Sequence, residues 1–131
     1  MIYLDSAAVV KLVHSEVESE DLRAWLDQRI DTPWISSILL EVEAFRALAK
    51  HGSNVSGRLP LVLDMIELVE INPGIRILAQ AVEPASVRSL DAIHLGTALS
   101  LTGLTEFVTY DKRLAEAAAG AGLSVFAPGA A

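Results

Sequence analysis

The sequence has no cysteine among its 131 residues. The chain can therefore form no disulfide and no thiolate zinc site, which fits a reducing compartment and leaves stability to packing. It also lacks any apolar run that approaches the roughly 20 residues of a membrane-spanning helix. The start, Met-Ile-Tyr-Leu-Asp, has no basic region before an apolar stretch. We therefore expect no signal peptide and a cytoplasmic protein.

Positive charge is scarce as well. Ten Lys and Arg residues against 17 Asp and Glu residues give a formal net charge of −7. This shortage argues against a passive nucleic-acid binder that relies on neutralising phosphates. It argues less against a metal-dependent nuclease, because divalent cations in an acidic pocket present positive charge to a phosphate. Acidity also suits docking to a basic partner, and simple solubility is the alternative explanation.

Predicted strands and helices alternate along the chain, which favours a three-layer α/β/α domain with a small parallel sheet. The hydrophobic content of 52% suffices for one core, so we expect a single domain over residues 1–131 with a short flexible tail at 127–131. Strands are predicted at residues 2–4, 32–35, 67–71, 106–109 and 123–126. Helices are predicted at residues 6–13, 17–28, 38–49, from 56 or 58 to 65, and at 73–82, 89–101 and 112–121.

Side chains at the helix ends and faces refine this prediction. Ser36 or Ser37 is expected to cap the third helix, and Ser89 is expected to cap the helix that follows it. The third helix carries an apolar stripe with i, i+4, i+7, i+11 spacing, made of Ile38, Val42, Phe45 and Ala49.

Acidic residues stand where predicted strands end or predicted helices begin, namely at Asp5, Glu43, Asp91 and Asp111. Because the functional crevice of a parallel sheet lies at the carboxyl ends of its strands, these residues can converge there around a divalent metal. Each also has a structural alternative. Asp5 and Asp111 can cap helices, and Asp91 can complement a helix dipole. The dipole also favours the ionised form that a metal needs, so the two explanations of Asp91 are compatible.

Two further residues near these acids leave alternatives open. Glu41 and Glu43 point about 200° from one another on a helix, so only one of them can face the pocket, and periodicity does not choose between them. His94 lies three residues after Asp91 on the same helical face and can approach the pocket. Since Mg²⁺ prefers oxygen ligands, a packing or hydrogen-bonding role for His94 is favoured over ligation.

Four short segments, in order along the chain, carry these acids together with hydroxyl and basic residues. They are Asp5-Ser-Ala-Ala-Val-Val-Lys-Leu, Ser36-Ser with Glu43 and Arg46, Ser89-Leu-Asp-Ala-Ile-His-Leu, and Val108-Thr-Tyr-Asp-Lys-Arg-Leu. Each motif is weak alone. Together they resemble a PIN-domain ribonuclease of the VapC toxin type, and the similarity spans the chain from Met1 to about Pro128.

The resemblance implies a chemistry for the site. It favours Glu43 over Glu41, since Arg46 follows Glu43 at the third position. The implied reaction is hydrolysis of RNA with Mg²⁺ or Mn²⁺, which lowers the pKa of a bound water and acts as a Lewis acid. The implied catalytic and metal-binding residues are Asp5, Glu43, Asp91 and Asp111, and the accessory candidates are Ser6, Thr109, His94 and Lys11.

Coordination and stability follow from that implied site. We expect Asp5 and Asp91 to bind the metal directly, with Asp111 and Glu43 completing the shell directly or through water. Close carboxylates repel one another without an ion. We therefore expect metal binding to stabilise the fold, and at least one carboxylate to have a raised pKa in the metal-free protein.

The resemblance also implies partners. VapC-like toxins pair with a small antitoxin, which commonly lays a segment across the groove and directs a basic side chain into the acidic pocket. We expect a VapB-like antitoxin, a homodimer, and an RNA substrate such as tRNA or rRNA. The apolar helices at residues 59–65 and from Ile38 are candidate surfaces for these partners, with core packing as the alternative. The basic residues considered as RNA contacts are Lys11, Arg46, Lys112 and Arg113.

Two other functions remain open. A phosphoacceptor receiver domain also gathers acids around Mg²⁺. It needs an aspartate after a middle strand, where this sequence has Thr32-Pro-Trp-Ile-Ser-Ser. A non-catalytic PIN-like module that binds RNA or protein is the second alternative. Such a module would be expected to have lost one or more of the acids, which are all present here.

Overall fold

The computed structural model describes residues 1–130 and contains five short strands in one sheet. They are β1 (Ile2–Leu4), β2 (Trp34–Ser37), β3 (Ile66–Val69), β4 (Glu106–Val108) and β5 (Val125–Phe126). The strand order is β3-β2-β1-β4-β5, and every neighbouring pair is parallel. The predicted fold class is therefore confirmed.

Helices connect the strands and cover both faces of the sheet. They are α1 (Ser6–Val13), α2 (Ser19–Asp27), α3 (Leu39–Ala49), α4 (Ser53–Ser56), α5 (Leu59–Leu63), α6 (Pro73–Gln80), α7 (Ser89–Leu99) and α8 (Lys112–Gly120). Within residues 1–130, no helix combines the length and the apolar composition that crossing a membrane requires.

The central strand β1 separates two hydrophobic clusters. Side chains of a strand alternate between the faces of the sheet, so Ile2 and Leu4 point one way and Tyr3 points the other. Ile2 and Leu4 pack with α1, α2, α3 and α5, whereas Tyr3 packs with α7 and α8. All three side chains are fully buried. The short apolar strand before Asp5 is thus the middle of a three-layer structure.

The direction of the chain across the sheet reverses beside β1. The chain first builds outward from β1 through β2 to β3, and later adds β4 and β5 on the opposite side of β1. In doubly wound sheets such a reversal opens a crevice between the carboxyl ends of the two strands that flank it. The ends of β1 and β4 are therefore where a functional site is expected.

Two predicted helix caps are wrong. Ser36 and Ser37 belong to β2, which lies two residues later than predicted, and Ile38 occupies the cap position of α3. The Ser36 hydroxyl instead donates to the Leu4 carbonyl at 2.6 Å, so it joins two strands. Ser89 is the first residue of α7, and Arg88 occupies its cap position. Serine is compatible with a strand interior when its hydroxyl finds a backbone partner, and local sequence does not reveal that partner.

The predicted apolar stripe of α3 does not face the core. Val42 is 60% exposed and Phe45 is 54% exposed. The buried face consists of Leu40, Ala44 and Leu48 instead. This face also has helical spacing, and α3 is apolar on both sides. Packing against α1 and α5 decides which side is buried, and periodicity alone cannot.

The chain after β5 lies against the β4–α8 turn. The Tyr110 hydroxyl donates a hydrogen bond to the Pro128 carbonyl at 2.8 Å. A Cβ atom added at Gly129 would lie 2.7 Å from the Asp21 carboxylate, so this segment also passes close to α2. The tail predicted to be flexible covers these residues, and its last member, Ala131, lies outside the described residues.

Gly96 lets α6 and α7 approach closely, and this generates a prediction. A Cβ atom at Gly96 would lie 2.9 Å from the Ala79 nitrogen and 3.0 Å from the Ile75 carbonyl oxygen. These are backbone atoms of α6 and cannot rotate away. We expect Gly96→Ala to destabilise the protein by about 1–2 kcal/mol, because overpacking outweighs the gain of about 1 kcal/mol in helix propensity.

The measurement is thermal or urea unfolding, with Gly120→Ala as the matched control. Gly120 is also helical, but an added Cβ atom there meets nothing within 4 Å. Its replacement should therefore leave stability unchanged or slightly raised. Equal melting temperatures for Gly96→Ala and the wild type would contradict the close approach.

Candidate active site

The structure brings all four predicted acids to one cleft at the crevice beside β1. Asp5 directly follows β1, and Asp111 lies three residues after the end of β4. Glu43 on α3 and Asp91 on α7 approach from opposite faces of the sheet. The cleft has a volume of about 430 Å³. Its lining residues are Asp5, Ser6, Ala7, Glu43, Arg88, Ser89, Leu90, Asp91, His94 and Asp111.

Asp5 combines a structural role with a place in the cleft. Its Oδ1 atom accepts the Ala8 N–H at 2.9 Å and so caps α1, while its Oδ2 atom accepts the Thr109 hydroxyl at 2.5 Å. The side chain is buried, and burial raises the pKa of Asp5 although these two hydrogen bonds oppose the shift. A carboxylate desolvated in this way gains from any nearby positive charge.

Thr109 joins the ends of β1 and β4. Its hydroxyl donates to Asp5, and its oxygen also accepts the Asp111 N–H at 3.1 Å. Asp111 in turn caps α8, because its Oδ1 atom accepts the Leu114 N–H at 2.9 Å. One fully buried threonine thus fixes the backbone that carries two of the acids. Thr109 supports the site from behind and does not line the cleft.

Asp91 lies in the first turn of α7 and faces Asp111 across the cleft. Burial raises the pKa of Asp91, and the negative charge of Asp111 raises it further. The Arg88 guanidinium acts in the opposite direction without reversing the shift. The expectation of a raised carboxylate pKa is confirmed for Asp5 and Asp91, and burial is a larger cause than mutual repulsion.

Glu43 lies in a hydrogen-bonded chain that runs into the core. Its Oε1 atom accepts the Ser6 hydroxyl at 2.6 Å and lies 2.6 Å from Nε2 of His94. The other ring nitrogen of His94, Nδ1, lies 2.6 Å from the Tyr3 hydroxyl. Burial raises the pKa of Tyr3, so its hydroxyl keeps its proton and can donate it to Nδ1. His94 Nε2–H is then the donor to Glu43.

The hydrogen bonds of this chain set the charge of Glu43. Burial by itself would raise the pKa of Glu43, but the bonds from His94 and Ser6 outweigh it and lower that pKa below the usual value. Glu43 is therefore held ionised in a fixed orientation. His94 is buried and acts here as a hydrogen-bonding residue, which is the alternative favoured by the sequence.

Other candidates lie elsewhere. Glu41 is exposed and lines a different, shallow cleft beside Phe45. The Lys11 ammonium is 2.8 Å from Glu16 and 3.4 Å from Glu18, and it lies 4.7 Å from the centre of the Tyr110 ring. These contacts hold Lys11 away from the acids. The other basic residues named from the sequence, Arg46, Lys112 and Arg113, do not line the cleft either.

Two residues that the structure brings to the site were not predicted from the sequence. Arg88 is the one Lys or Arg side chain among the described residues that line the cleft. Tyr3 supports His94 from the core. Arg88 faces Asp111, which is distant in sequence, as well as the nearby Asp91, and Tyr3 faces the distant His94. The only local signal for Arg88 was a basic residue three positions before Asp91, and this residue is the N-cap of α7.

The chemistry of the donor set fits a hard divalent cation held in an open site. Carboxylate oxygens are the ligands that Mg²⁺ and Mn²⁺ prefer, and Mg²⁺ commonly keeps several waters. Within residues 1–130, no three or more His, Asp or Glu side chains are arranged so that together they could hold a metal ion. The raised pKa values of Asp5 and Asp91 mark two carboxylates whose ionised forms a nearby positive charge would stabilise.

A larger cavity of about 950 Å³ lies between α6, α7 and α8, away from the acids. It is lined mainly by aliphatic side chains such as Leu78, Val82, Leu95 and Leu99. Size alone would select it as the functional pocket. It holds no cluster of groups for acid–base or metal chemistry, so the smaller acidic cleft is the candidate active site.

An acidic cleft at the reversal of a parallel five-stranded sheet, with helices on both faces, agrees with the resemblance to a PIN domain. Comparison with known proteins agrees, since residues 2–120 match the model of the PIN domain family. The chain belongs to the PIN-domain family, in its VapC-type branch. Ribonuclease VapC35 of Mycobacterium tuberculosis is 47% identical, and the alignment covers 100% of this chain and 99% of that protein.

Solved structures share the fold at much lower identity. VapC20 of Mycobacterium tuberculosis, described as a sarcin-ricin loop cleaving toxin, has a TM-score of 0.75 at 12% identity and covers 98% of this chain and 100% of its own. VapBC2 of Rickettsia felis, solved with a DNA fragment from its promoter, has a TM-score of 0.77 at 12% identity, with coverages of 98% and 99%. At this identity the likeness concerns the fold alone.

The raised pKa of Asp91 predicts how Asp91→Asn affects stability without metal. A carboxyl group whose pKa is raised by folding stabilises the protein fully below its unfolded pKa of about 3.9, and this contribution is lost as the pH rises through the folded pKa. Ionised Asp91 therefore lowers stability near neutral pH. In EDTA we expect Asp91→Asn to melt about 1–3 °C higher than the wild type, because Asp91 is partly exposed and the effect is screened.

The measurement is a melting curve in EDTA near neutral pH and again below about pH 4, where the gain should vanish. The exposed Asp31→Asn is the control for removing one negative charge from the surface. A lower melting temperature for Asp91→Asn in EDTA would mean that Asp91 stabilises the metal-free fold.

Proposed function

We propose that this protein is a metal-dependent endoribonuclease toxin of a type II toxin–antitoxin pair. The observation that carries the proposal is the convergence of Asp5, Glu43, Asp91 and Asp111 on one cleft. Membership of the PIN-domain family and the full-length similarity to a VapC ribonuclease support the same reaction. An RNA substrate also agrees with a cytoplasmic location, where tRNA and rRNA are abundant.

The proposed cofactor is Mg²⁺ or Mn²⁺, with Asp5 and Asp91 as direct ligands. Asp111 contributes the carboxylate oxygen that does not cap α8, directly or through a water. A bound divalent ion supplies Lewis acidity at the phosphate and lowers the pKa of a water. Asp5 and Asp91 suit this role because burial makes their ionised forms costly until positive charge arrives.

Glu43 has a different part in the proposed site. Its Oε1 atom is already occupied by Ser6 and His94, and its lowered pKa keeps it ionised. It can accept a hydrogen bond from a water at the cleft through its remaining lone pairs, and so orient that water toward a phosphate. Ser6 and His94 then act through Glu43, as groups that fix its position.

The proposed partners are a VapB-like antitoxin and a second copy of the chain. VapBC2 of Rickettsia felis is named as such a pair, and a toxin–antitoxin complex from Klebsiella pneumoniae has the same fold with a TM-score of 0.66. On this chain α3 places Glu43 in the cleft and leaves Val42 and Phe45 exposed beside it. An apolar segment that covers this face would reach the cleft, where its basic side chains would meet the acids.

The test of the proposed function is cleavage of total RNA by the purified protein. We expect discrete fragments with Mg²⁺ or Mn²⁺, and none with EDTA or with Asp91→Asn. Removing a metal ligand should slow the reaction by at least about a hundredfold, since transition-state charge loses its main counterion. Sequencing the fragment ends would identify the RNA and the cut site.

Three outcomes separate the alternatives, with Glu41→Gln as the control for a carboxylate outside the cleft. Metal-dependent fragments from the wild type and from Glu41→Gln support the nuclease. If Mn²⁺ raises the melting temperature while no RNA is cut, the site binds metal and the reaction or target is different. If Mn²⁺ changes neither the melting temperature nor the RNA, the acids serve as helix caps and surface charges, and a non-catalytic binding module is the better explanation.

A further inference from the structure

Arg88 stands at the mouth of the acidic cleft with its side chain 74% exposed. Its Nη2 atom lies 3.8 Å from Oδ2 of Asp111, and its Nε atom lies 4.0 Å from Oδ2 of Asp91. The guanidinium group therefore faces two carboxylates that are proposed to hold the metal. The cleft gains its one positive side chain, among the residues described, from this position.

These two ion pairs are too long to serve as structural fixtures. Both distances exceed the range of about 2.7–2.9 Å that charge-assisted hydrogen bonds show. Exposed pairs of this kind contribute little to stability and often nothing measurable. Arg88 therefore neutralises part of the cleft while its side chain stays free to reorient toward another anion.

The negative charge of the cleft explains why this reorientation would help a phosphate to bind. An RNA phosphate that approaches the metal-free cleft meets Asp5, Glu43, Asp91 and Asp111, and only Arg88 attracts it. When a divalent cation neutralises Asp91 and Asp111, these carboxylates no longer attract the guanidinium group. The planar fork of arginine matches two oxygens of a phosphate, which suits it better than lysine for this contact.

Two other basic residues near the site lie in different surroundings. Lys11 is paired with Glu16 and Glu18. Arg113 follows Asp111 closely in sequence but lines the apolar cavity between α6, α7 and α8. Neither side chain can meet a phosphate in the acidic cleft without leaving these positions, whereas Arg88 already lies there.

We propose that Arg88 is the substrate-binding residue that holds an RNA phosphate at the cleft, and that in the metal-free protein it acts as the counterion of Asp91 and Asp111. The inference rests on the proposed function for the identity of the ligand. It assigns Arg88 two exclusive positions, one over the carboxylates and one on the phosphate. Two independent measurements follow, one on RNA and one on the metal.

The first measurement is the affinity for a fluorescein-labelled single-stranded RNA, taken by anisotropy at several salt concentrations. Ca²⁺ replaces Mg²⁺, and a gel verifies that the RNA stays intact. We expect Arg88→Gln to bind at least about tenfold more weakly, as loss of a charged phosphate contact implies. The slope of log affinity against log salt should fall by about 0.7, the value for one phosphate of a single strand.

Two further variants identify the cause. Arg88→Lys keeps the charge and should retain the salt slope while losing part of the affinity, because the bidentate contact is lost. Arg23→Gln removes an exposed arginine on α2, outside the cleft, and should bind RNA like the wild type. If Arg88→Gln matches Arg23→Gln in affinity and slope, Arg88 does not hold a phosphate and the proposal is overturned.

The second measurement is Mn²⁺ binding by calorimetry without RNA. Removing a cation that competes for Asp91 and Asp111 should leave Mn²⁺ affinity unchanged or raise it a few-fold. A loss of Mn²⁺ affinity in Arg88→Gln would instead mean that Arg88 orders the carboxylates for the metal, which also contradicts the proposal. This readout needs no enzyme activity.

Failure of this inference is distinguishable from failure of the proposed function. A wild-type protein that cuts RNA, with Arg88→Gln binding RNA normally, leaves the nuclease intact and removes Arg88 from it. A wild-type protein that cuts nothing but binds RNA through Arg88 has a phosphate contact in a non-catalytic module. RNA cleavage thus tests the nuclease function, and RNA binding by Arg88→Gln tests the role of Arg88 independently.

Discussion

The confinement of like charges in one cleft is the constraint on which the site depends. Burial raises the pKa of Asp5 and Asp91, whereas hydrogen bonds from His94 and Ser6 lower the pKa of Glu43. The carboxyl groups of the cleft thus differ in their hydrogen-bonding and charged partners. Glu43 has donors within the protein, while Asp91 has only a distant arginine. A divalent cation suits the second kind of carboxylate, and a fixed water suits the first.

Structural and functional roles are combined in the same side chains here. Asp5 and Asp111 each use one carboxylate oxygen to cap a helix, α1 and α8 respectively. The cap holds each carboxylate in one orientation, and the second oxygen of Asp5 accepts the Thr109 hydroxyl. Thr109 then links the two ends through its hydroxyl. An aspartate that caps a helix at a strand end is therefore also well placed to be a ligand, and the two explanations need not compete.

The sequence prediction is limited where a residue's role depends on contacts with residues that are distant in sequence. Asp5 and Asp111 could be placed together because the carboxyl ends of parallel strands share one edge, which is a rule of topology. Asp91 was added to them as an acid in the first turn of a predicted helix. The choice between Glu41 and Glu43 came from a family resemblance, since helical period allowed either. Which face of α3 is buried was left open because Val42 and Phe45 are as apolar as the residues that pack. Arg88 was missed because its main partner is distant in sequence.

The shortage of positive charge affects how both RNA and a basic partner would bind at the cleft. A nuclease with a net charge of −7 cannot draw RNA to its site by its own surface field. Among the described residues, one exposed arginine lines the cleft, so in the proposed site affinity for a phosphate would depend largely on cations bound by the carboxylates. The same imbalance exposes the site to a basic segment of a partner, which would compete with both the metal and Arg88 for Asp91 and Asp111. Substrate recruitment and inhibition would then be governed by the same two carboxylates.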